Sequence, residues 1–301
     1  MSHKLDLLIV GAGVTGMSAA RHAVKNGLSV AILEAQFFGG LIVNINHLDG
    51  EISGSGTDMA MELMSQACDH GAGHIAATVS SIDSDAAGLA AATDDGEHRA
   101  RAILIASGAR LKRLGIPGEA ELEDKGVSRC ADCDGPLYSD QDVVVVGGGD
   151  SALQEALALA GFARRVHLVH RGASFSARPH LVNSLAAHAN ISVHWRTRVE
   201  AILGSDAVET VRLRTDDDAA STDLACSGFF AYVGLEPVCP ALPAAVRRDA
   251  AGHLLTDAQF HTGIAGLFAA GAVRAGYGGL LTHAVAEGIA AADSAIRMLG
   301  G

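Results

Sequence analysis

Cys130 and Cys133 stand with two residues between them in the run Cys130-Ala131-Asp132-Cys133-Asp134-Gly135. At that spacing two thiols close a small disulfide ring with little backbone change and reopen it as a dithiol, the chemistry of a two-electron carrier. The working species at each step is a thiolate. Asp132 lies between the thiols, and its charge raises thiol pKa values and disfavours an acidic partner. The same spacing also serves as half of a zinc site. The other cysteines, Cys68, Cys226 and Cys239, are single and scattered, with no second CxxC or CxxH, so no metal set is expected.

The elements around this pair read as nucleotide-binding units. After Cys133 comes a valine-rich strand over residues 142–146. The turn Gly147-Gly148-Gly149-Asp150-Ser151-Ala152 and a helix follow. Gly147, Gly149 and Ala152 hold the positions of a GxGxxA fingerprint. The next strand, residues 165–169, ends on His170-Arg171, where a cation suits a 2′-phosphate and an acid would suit a free ribose.

An earlier unit has the fuller pattern. An apolar strand over residues 5–10 leads into Gly11-Ala12-Gly13-Val14-Thr15-Gly16, then a helical stretch over 17–25. A second strand over 29–33 ends on Glu34. Glycines let backbone approach a pyrophosphate, the helix start offers amide donors, and Glu34 accepts from ribose hydroxyls. Gly39-Gly40 opens a loop through Asn44, Asn46 and His47, with His47 read as a solvated loop histidine. The strand Ile103-Leu104-Ile105 ends in small residues, Ala106-Ser107-Gly108, which let the chain pass close to a nucleotide.

A further apolar strand, 266–272, and an alanine-rich helix over 282–299 are best explained if the chain returns to its first domain. The expected fold is α/β. It has two Rossmann-like three-layer nucleotide-binding domains, the second inserted in the first. One spans 1–113 and 241–301, and the other spans 114–240 and carries the CxxC.

Bulk properties exclude some classes. The 301 residues are 49% hydrophobic and 19% charged, which suits a globular chain of two domains. A net charge of −12 argues against nucleic acid or an anionic membrane as partner. No apolar run approaches the length of a membrane span, and the amino terminus has no signal-segment pattern. With an odd number of cysteines, five, the expectation is a cytoplasmic protein, mostly reduced, with one cycling pair.

In order and spacing, these motifs resemble the low-molecular-weight thioredoxin reductases over nearly the whole chain. The matching stretches are GAGVTG, Gly39-Gly40, Ala106-Ser107-Gly108, CADCDG and GGGDSA, together with His167-Leu168-Val169-His170-Arg171 and Leu267-Phe268-Ala269-Ala270-Gly271. Larger flavin reductases carry their redox pair in the first domain, and this chain has none there. The resemblance implies a homodimer with FAD in the first domain and NADPH or NADH in the second. It also implies a rotation between domains. FAD is expected to touch Gly11, Ala12, Gly13, Thr15, Gly16 and Glu34, then Gly39, Gly40, Leu41 and Val79. Ala106, Ser107, Gly108, Gly271, Ala272 and His283 complete that side. The pyridine nucleotide is expected at Gly148, Gly149, Asp150, Ser151, His170 and Arg171. By the same resemblance Cys133 faces the flavin, Cys130 attacks the outside disulfide, and Asp134 is the general acid–base. Asp is also a common turn cap, so Asp134 before Gly135 has that simpler reading too.

Three departures stand against the family pattern. Ala272 replaces an aspartate that holds the ribityl chain, removing a charge-assisted hydrogen bond worth about 1.5–3 kcal/mol. His170-Arg171-Gly172 and Ser176 replace an arginine cluster, with Arg178 nearby but shifted. Gly278-Gly279-Leu280-Leu281 replaces a loop with Arg and Gln. There His283, at a helix start, is placed either toward the flavin's pyrimidine end or in water. The leading reading is electron exchange between NAD(P)H and a disulfide, on a thioredoxin-like protein or a small disulfide or dithiol. The alternatives are a dithiol oxidase with little NADPH use and a non-catalytic flavin- or nucleotide-sensing protein.

Overall fold

The computed structural model describes residues 5–45, 48, 54–85, 88–218 and 220–300; Asn46 and His47 lie outside them. In chain order the first elements are β1 (Leu5–Val10), α1 (Val14–Lys25), β2 (Val30–Leu33), α2 (Gly56–Asp69) and β3 (Gly73–Ile75). They are followed by β4 (Val79–Asp85), β5 (Gly88–Thr93) and β6 (Gly96–Ile105). The chain crosses on β7 (Ala109–Leu111) to β8 (Val127–Ser128), α3 (Ala131–Asp134), β9 (Asp142–Gly147), α4 (Asp150–Ala160) and β10 (Arg165–Val169). Next come α5 (Pro179–Leu185), β11 (Ile191–His194), β12 (Thr197–Leu203), β13 (Thr210–Thr215), β14 (Thr222–Ala225) and β15 (Gly228–Tyr232). It returns on β16 (Leu235–Pro237) to β17 (Leu267–Ala269) and α6 (Leu281–Gly300).

Two compact units result, Met1–Arg110 with Glu236–Gly301 and, between them in sequence, Leu111–Leu235. The crossings fall a few residues before the positions read from the sequence, because β7 and β16 pair with each other and carry the chain across. Among the described residues no helix is long and apolar enough to cross a membrane.

The first unit is built on the sheet order β3-β2-β1-β6-β5-β4, with β17 beside β6. Strands β3, β2, β1, β6 and β17 run parallel, whereas β4 and β5 pair antiparallel. Successive side chains of a strand point to opposite faces. Leu7 and Ile9 therefore join one buried cluster with Met17 of α1 and Ala291 of α6. Leu8 and Val10 join the other with Ile82 and Leu89 of the hairpin. Strands apolar on both faces are those a parallel sheet requires. Helix α2 starts at Ser55, whose hydroxyl accepts from Asp58 N at 3.0 Å. Helix α6 lies against α1 with Gly288 at the contact, where any side chain would run into the Thr15 carbonyl.

The second unit has a parallel sheet, β11-β10-β9-β15-β8, and a separate antiparallel sheet, β12-β13-β14. Val143, Val145, Val166 and Leu168 pack under α4, while Val144, Val146 and Phe229 meet Val199, Ile202 and Val211 of the smaller sheet. The CxxC enters directly after the edge strand β8, and α4 runs beside it.

Candidate redox and dinucleotide sites

Cys130 and Cys133 form a disulfide with their Cα atoms 5.3 Å apart. Cys130 is the N-cap of α3, and its sulfur accepts from Cys133 N at 3.1 Å. An amide aimed at a sulfur favours thiolate when the pair opens. Cys130 is only 9% exposed, whereas Cys133 is exposed. The cysteine given the outward role by resemblance is therefore the buried one.

Asp134 does not cap the turn that follows it. Its Oδ2 accepts from Ser128 Oγ at 2.6 Å. Ser128 is buried, and its Oγ also accepts from Cys130 N at 3.3 Å. One hydroxyl thus ties the acid to the cysteine backbone. A hydroxyl two residues before the first cysteine was the signal for it. Glu155 of α4 was missed as well. Its Oε2 accepts from Ala131 N at 2.9 Å and from Tyr232 Oη at 3.0 Å. Burial is the main cause that pushes this carboxyl above its ordinary range, with the Asp132 charge adding to it.

Among the remaining cysteines, burial pushes the Cys226 thiol up to about 12 and also raises Cys239, which leaves both as thiols at neutral pH. Among the described residues no group of three or more His, Cys, Asp or Glu is placed to hold a metal.

In the second unit Gly147 has φ +151°, and a Cβ there would meet the Tyr232 carbonyl and, at 2.6 Å, Ala152 Cβ. Gly149 has nothing closer than Ser176 Oγ at 3.9 Å, which leaves that face of the turn open. Helix α4 starts there without a side-chain cap, so its first amides face the open side. Ser151 is exposed in its first turn.

Other expected ligands are engaged within the protein. The His170 ring packs onto Gly148, and its Nε2 donates to Ser174 O at 3.0 Å. Gly148 O accepts from Ser176 N at 2.8 Å and from Ala177 N at 3.2 Å. Asp150 accepts from Arg178 through both carboxylate oxygens, from N at 2.8 Å and from Nε at 2.6 Å. Arg178 is thereby tied to the turn, and Arg171 is the exposed cation at the end of β10, with no ion-pair partner among the described residues.

In the first unit Gly11 has φ +106°, and a Cβ there would lie 2.5 Å from Ala106 O. The glycine turn and the Ala106 strand end touch backbone to backbone. Glu34 Oε2 accepts from Ala12 N at 3.0 Å and Oε1 from Gln36 N at 3.0 Å, which brings the acid beside the turn. A Cβ on Gly13 would meet nothing within 4 Å, and α1 starts there without a side-chain cap. Gly39 N donates to Ala12 O at 2.7 Å, closing the next loop onto the turn. Gly40 and Leu41 begin the single-turn helix Gly40–Asn44, where Leu41 is 38% exposed. An acid, an uncapped helix start and open space above glycine fit an adenosine diphosphate half.

The far end of that site is different. Ser107 Oγ is spent on Val238 O, and Gly108 O accepts from Val238 N at 3.0 Å. Val79 is half-buried at the start of β4. Thr15 fills the space a side chain on Gly271 would need. Gly271 N donates to Glu287 Oε2 at 2.8 Å, and Arg274 clamps the same carboxylate at 2.6 Å and 2.8 Å. Glu287 is the carboxylate beside Gly271 in the corner where Ala272 brings none, and it is neutralised by Arg274. His283 is exposed and packs over Gly278.

The family described as pyridine nucleotide-disulphide oxidoreductase matches residues 5–288. The chain belongs to that family. The thioredoxin reductase of Treponema pallidum is 34% identical over 299 residues, covering 98% of this chain and 97% of that one. A 34.2 kDa protein in the rubredoxin operon of Clostridium pasteurianum is 32% identical, covering 99% and 98%. The crystal structure of Lactococcus lactis thioredoxin reductase matches with TM-score 0.94 at 31% identity, covering 99% of each chain.

The protein is thus a thioredoxin reductase-like disulfide oxidoreductase with a redox-active Cys130–Cys133 pair, and its family implies FAD and a pyridine nucleotide. The non-catalytic alternative falls away. Because residue 272 supplies no carboxylate, Ala272→Asp should tighten FAD binding about tenfold to a hundredfold, the equivalent of one charge-assisted hydrogen bond of about 1.5–3 kcal/mol. Flavin fluorescence titration of the apoprotein measures this. Unchanged affinity would mean that the corner does not touch the ribityl chain.

Proposed function

We propose that the protein passes electrons from a pyridine nucleotide to the disulfide of a thioredoxin-like protein or a small disulfide metabolite, in the cytoplasm and as a homodimer. The observation that carries this reading is the formed Cys130–Cys133 disulfide, set between β8 and the glycine turn of a nucleotide-type unit. FAD, held by the Gly11–Gly16 turn, Glu34 and the Gly39-Gly40 loop, would accept hydride from the nucleotide and supply the electron pair to the disulfide. The open face at Gly149 and the start of α4 would take the nucleotide phosphates.

Asp134 is the proton carrier for the sulfurs. Its bond from Ser128 orients it on the same short helix as Cys133. By the family resemblance Cys133 exchanges electrons with the flavin and Cys130 attacks the outside disulfide; of the two, Cys130 is the less exposed here. In Cys130→Ser the remaining thiol should react readily with an aromatic disulfide reagent; in Cys133→Ser it should react more slowly. Both variants should lose nucleotide-driven disulfide turnover. Asp134→Asn should slow that turnover while nucleotide oxidation at the flavin stays near normal. Wild-type disulfide turnover in either cysteine variant would overturn the reading.

NADPH preference should be modest. Arg171 is one cation, and one phosphate contact is worth about 1.5–3 kcal/mol, or about tenfold to a hundredfold. Anaerobic titration with NADPH and with NADH, following flavin absorbance, tests both donor and direction. Discrimination well above about a thousandfold would reveal a further phosphate ligand. Bleaching by a dithiol but by neither nucleotide would favour the dithiol oxidase. The homodimer is expected from the family, and a light-scattering mass near 30.7 kDa would overturn it.

A further inference from the structure

Glu155 of α4 is a carboxylate bonded to the CxxC backbone from another helix. Its Oε2 takes the N–H of Ala131, the residue between the buried Cys130 and the rest of α3, and the hydroxyl of Tyr232 on β15. From α3 it faces Asp132, whose charge works against a second carboxylate there. From β15 it faces Tyr232, whose hydroxyl burial holds in the protonated form. Strands β9 and β10 and helix α5 meet α4 through valines and leucines. On α4 itself the charged Asp150 is taken by Arg178. Glu155 therefore sits with two donors and one like charge.

We propose that Glu155 is the redox-linked proton store of the disulfide. It is carboxylate while Cys130 and Cys133 are joined, takes up one proton when they are reduced, and releases it on reoxidation. The step balances. The S–S bond breaks on receipt of the two electrons that a pyridine nucleotide supplies in the proposed function. One proton from solvent goes to the exposed Cys133 sulfur and one to Glu155. Cys130 keeps the remaining electron pair as a thiolate, which the Cys133 amide stabilises. Net charge is unchanged by the step, so no uncompensated negative charge gathers around the buried sulfur. Glu155 acts through the backbone of α3 and is a positioning residue. The inference rests on Cys130–Cys133 being the redox pair.

The test is the disulfide midpoint potential of the holoenzyme across the neutral pH range. Each proton taken up with two electrons changes the equilibrium tenfold per pH unit, or 29.6 mV. The wild type should show two such steps per pH unit and Glu155→Gln one. A role in packing alone would shift the potential by the same amount at every pH and leave the slope unchanged; equal slopes overturn the proposal. Tyr232→Phe keeps the carboxylate but removes a donor to its charged form, so the bend in the slope should move to higher pH. Infrared difference spectra should show a protonated carboxylic acid appearing on reduction of the wild type and of Asp134→Asn. Its absence from the wild type would overturn the proposal even if Glu155→Gln fails to fold. If no two-electron disulfide couple appears in any of these proteins, the redox-pair reading falls, and this inference with it.

Discussion

Backbone pressed on backbone, with no side chain between, is the constraint on which both nucleotide units depend. At Gly11 the turn touches the carbonyl of Ala106, and at Gly147 it touches the carbonyl of Tyr232. In each case the contact joins the strand that enters the turn to its neighbour in the sheet. A Cβ at either place would push the strands apart at the end where the helix begins. The open space at Gly13 and Gly149 exists because the neighbouring glycine lets the chain double back so tightly. The first two fingerprint glycines of each unit, Gly11 and Gly13 or Gly147 and Gly149, thus do opposite things: one is filled by protein, the other leaves room.

Around these turns the carboxylates are distributed with little waste. Glu34 reaches Ala12 N, Asp150 holds Arg178, and Glu287 is clamped by Arg274 over Gly271. Glu123 forms two bonds to Arg129, the neighbour of Cys130, and that guanidinium is the main cause that keeps its carboxyl low. Glu155, like Glu34, is held by uncharged donors, but burial pushes its carboxyl above the ordinary range.

Much of this architecture was legible because it is periodic and local. Parallel strands read as unbroken apolar runs, glycine turns stand at fixed spacing, and two cysteines three positions apart have few other uses. The return of the chain to its first unit was legible from one orphan apolar stretch, residues 266–272, of which 267–269 form β17. What escaped is long-range. Glu155 lies 24 positions from Ala131 and 77 from Tyr232, and no local pattern links them. Arg178 looked like a shifted phosphate ligand because its capture by Asp150, 28 positions away, depends on how residues 172–178 fold over the turn. The opposite exposures of Cys130 and Cys133 follow from the pitch of a four-residue helix against α4, which motif spacing does not encode.

The pairing of β7 with β16 shapes how the chain assembles. Strand β17 completes the first sheet beside β6, yet the whole second unit separates them in sequence. Taken as a free loop, that separation would add to the entropy of closure, although only logarithmically with length. Arg110 and Glu236 form an ion pair at 2.6 Å across the crossing, and Lys112 N donates to Gly234 O at 2.9 Å. Once the insert has folded, its two ends are held side by side, so the loop left to close is made of the first unit's own residues, and β17 adds to β6 in parallel. On a ribosome the insert emerges before β17, so the order of synthesis also favours folding the insert first. The first sheet then waits, with β6 exposed along one half, for a strand that the insert itself delivers.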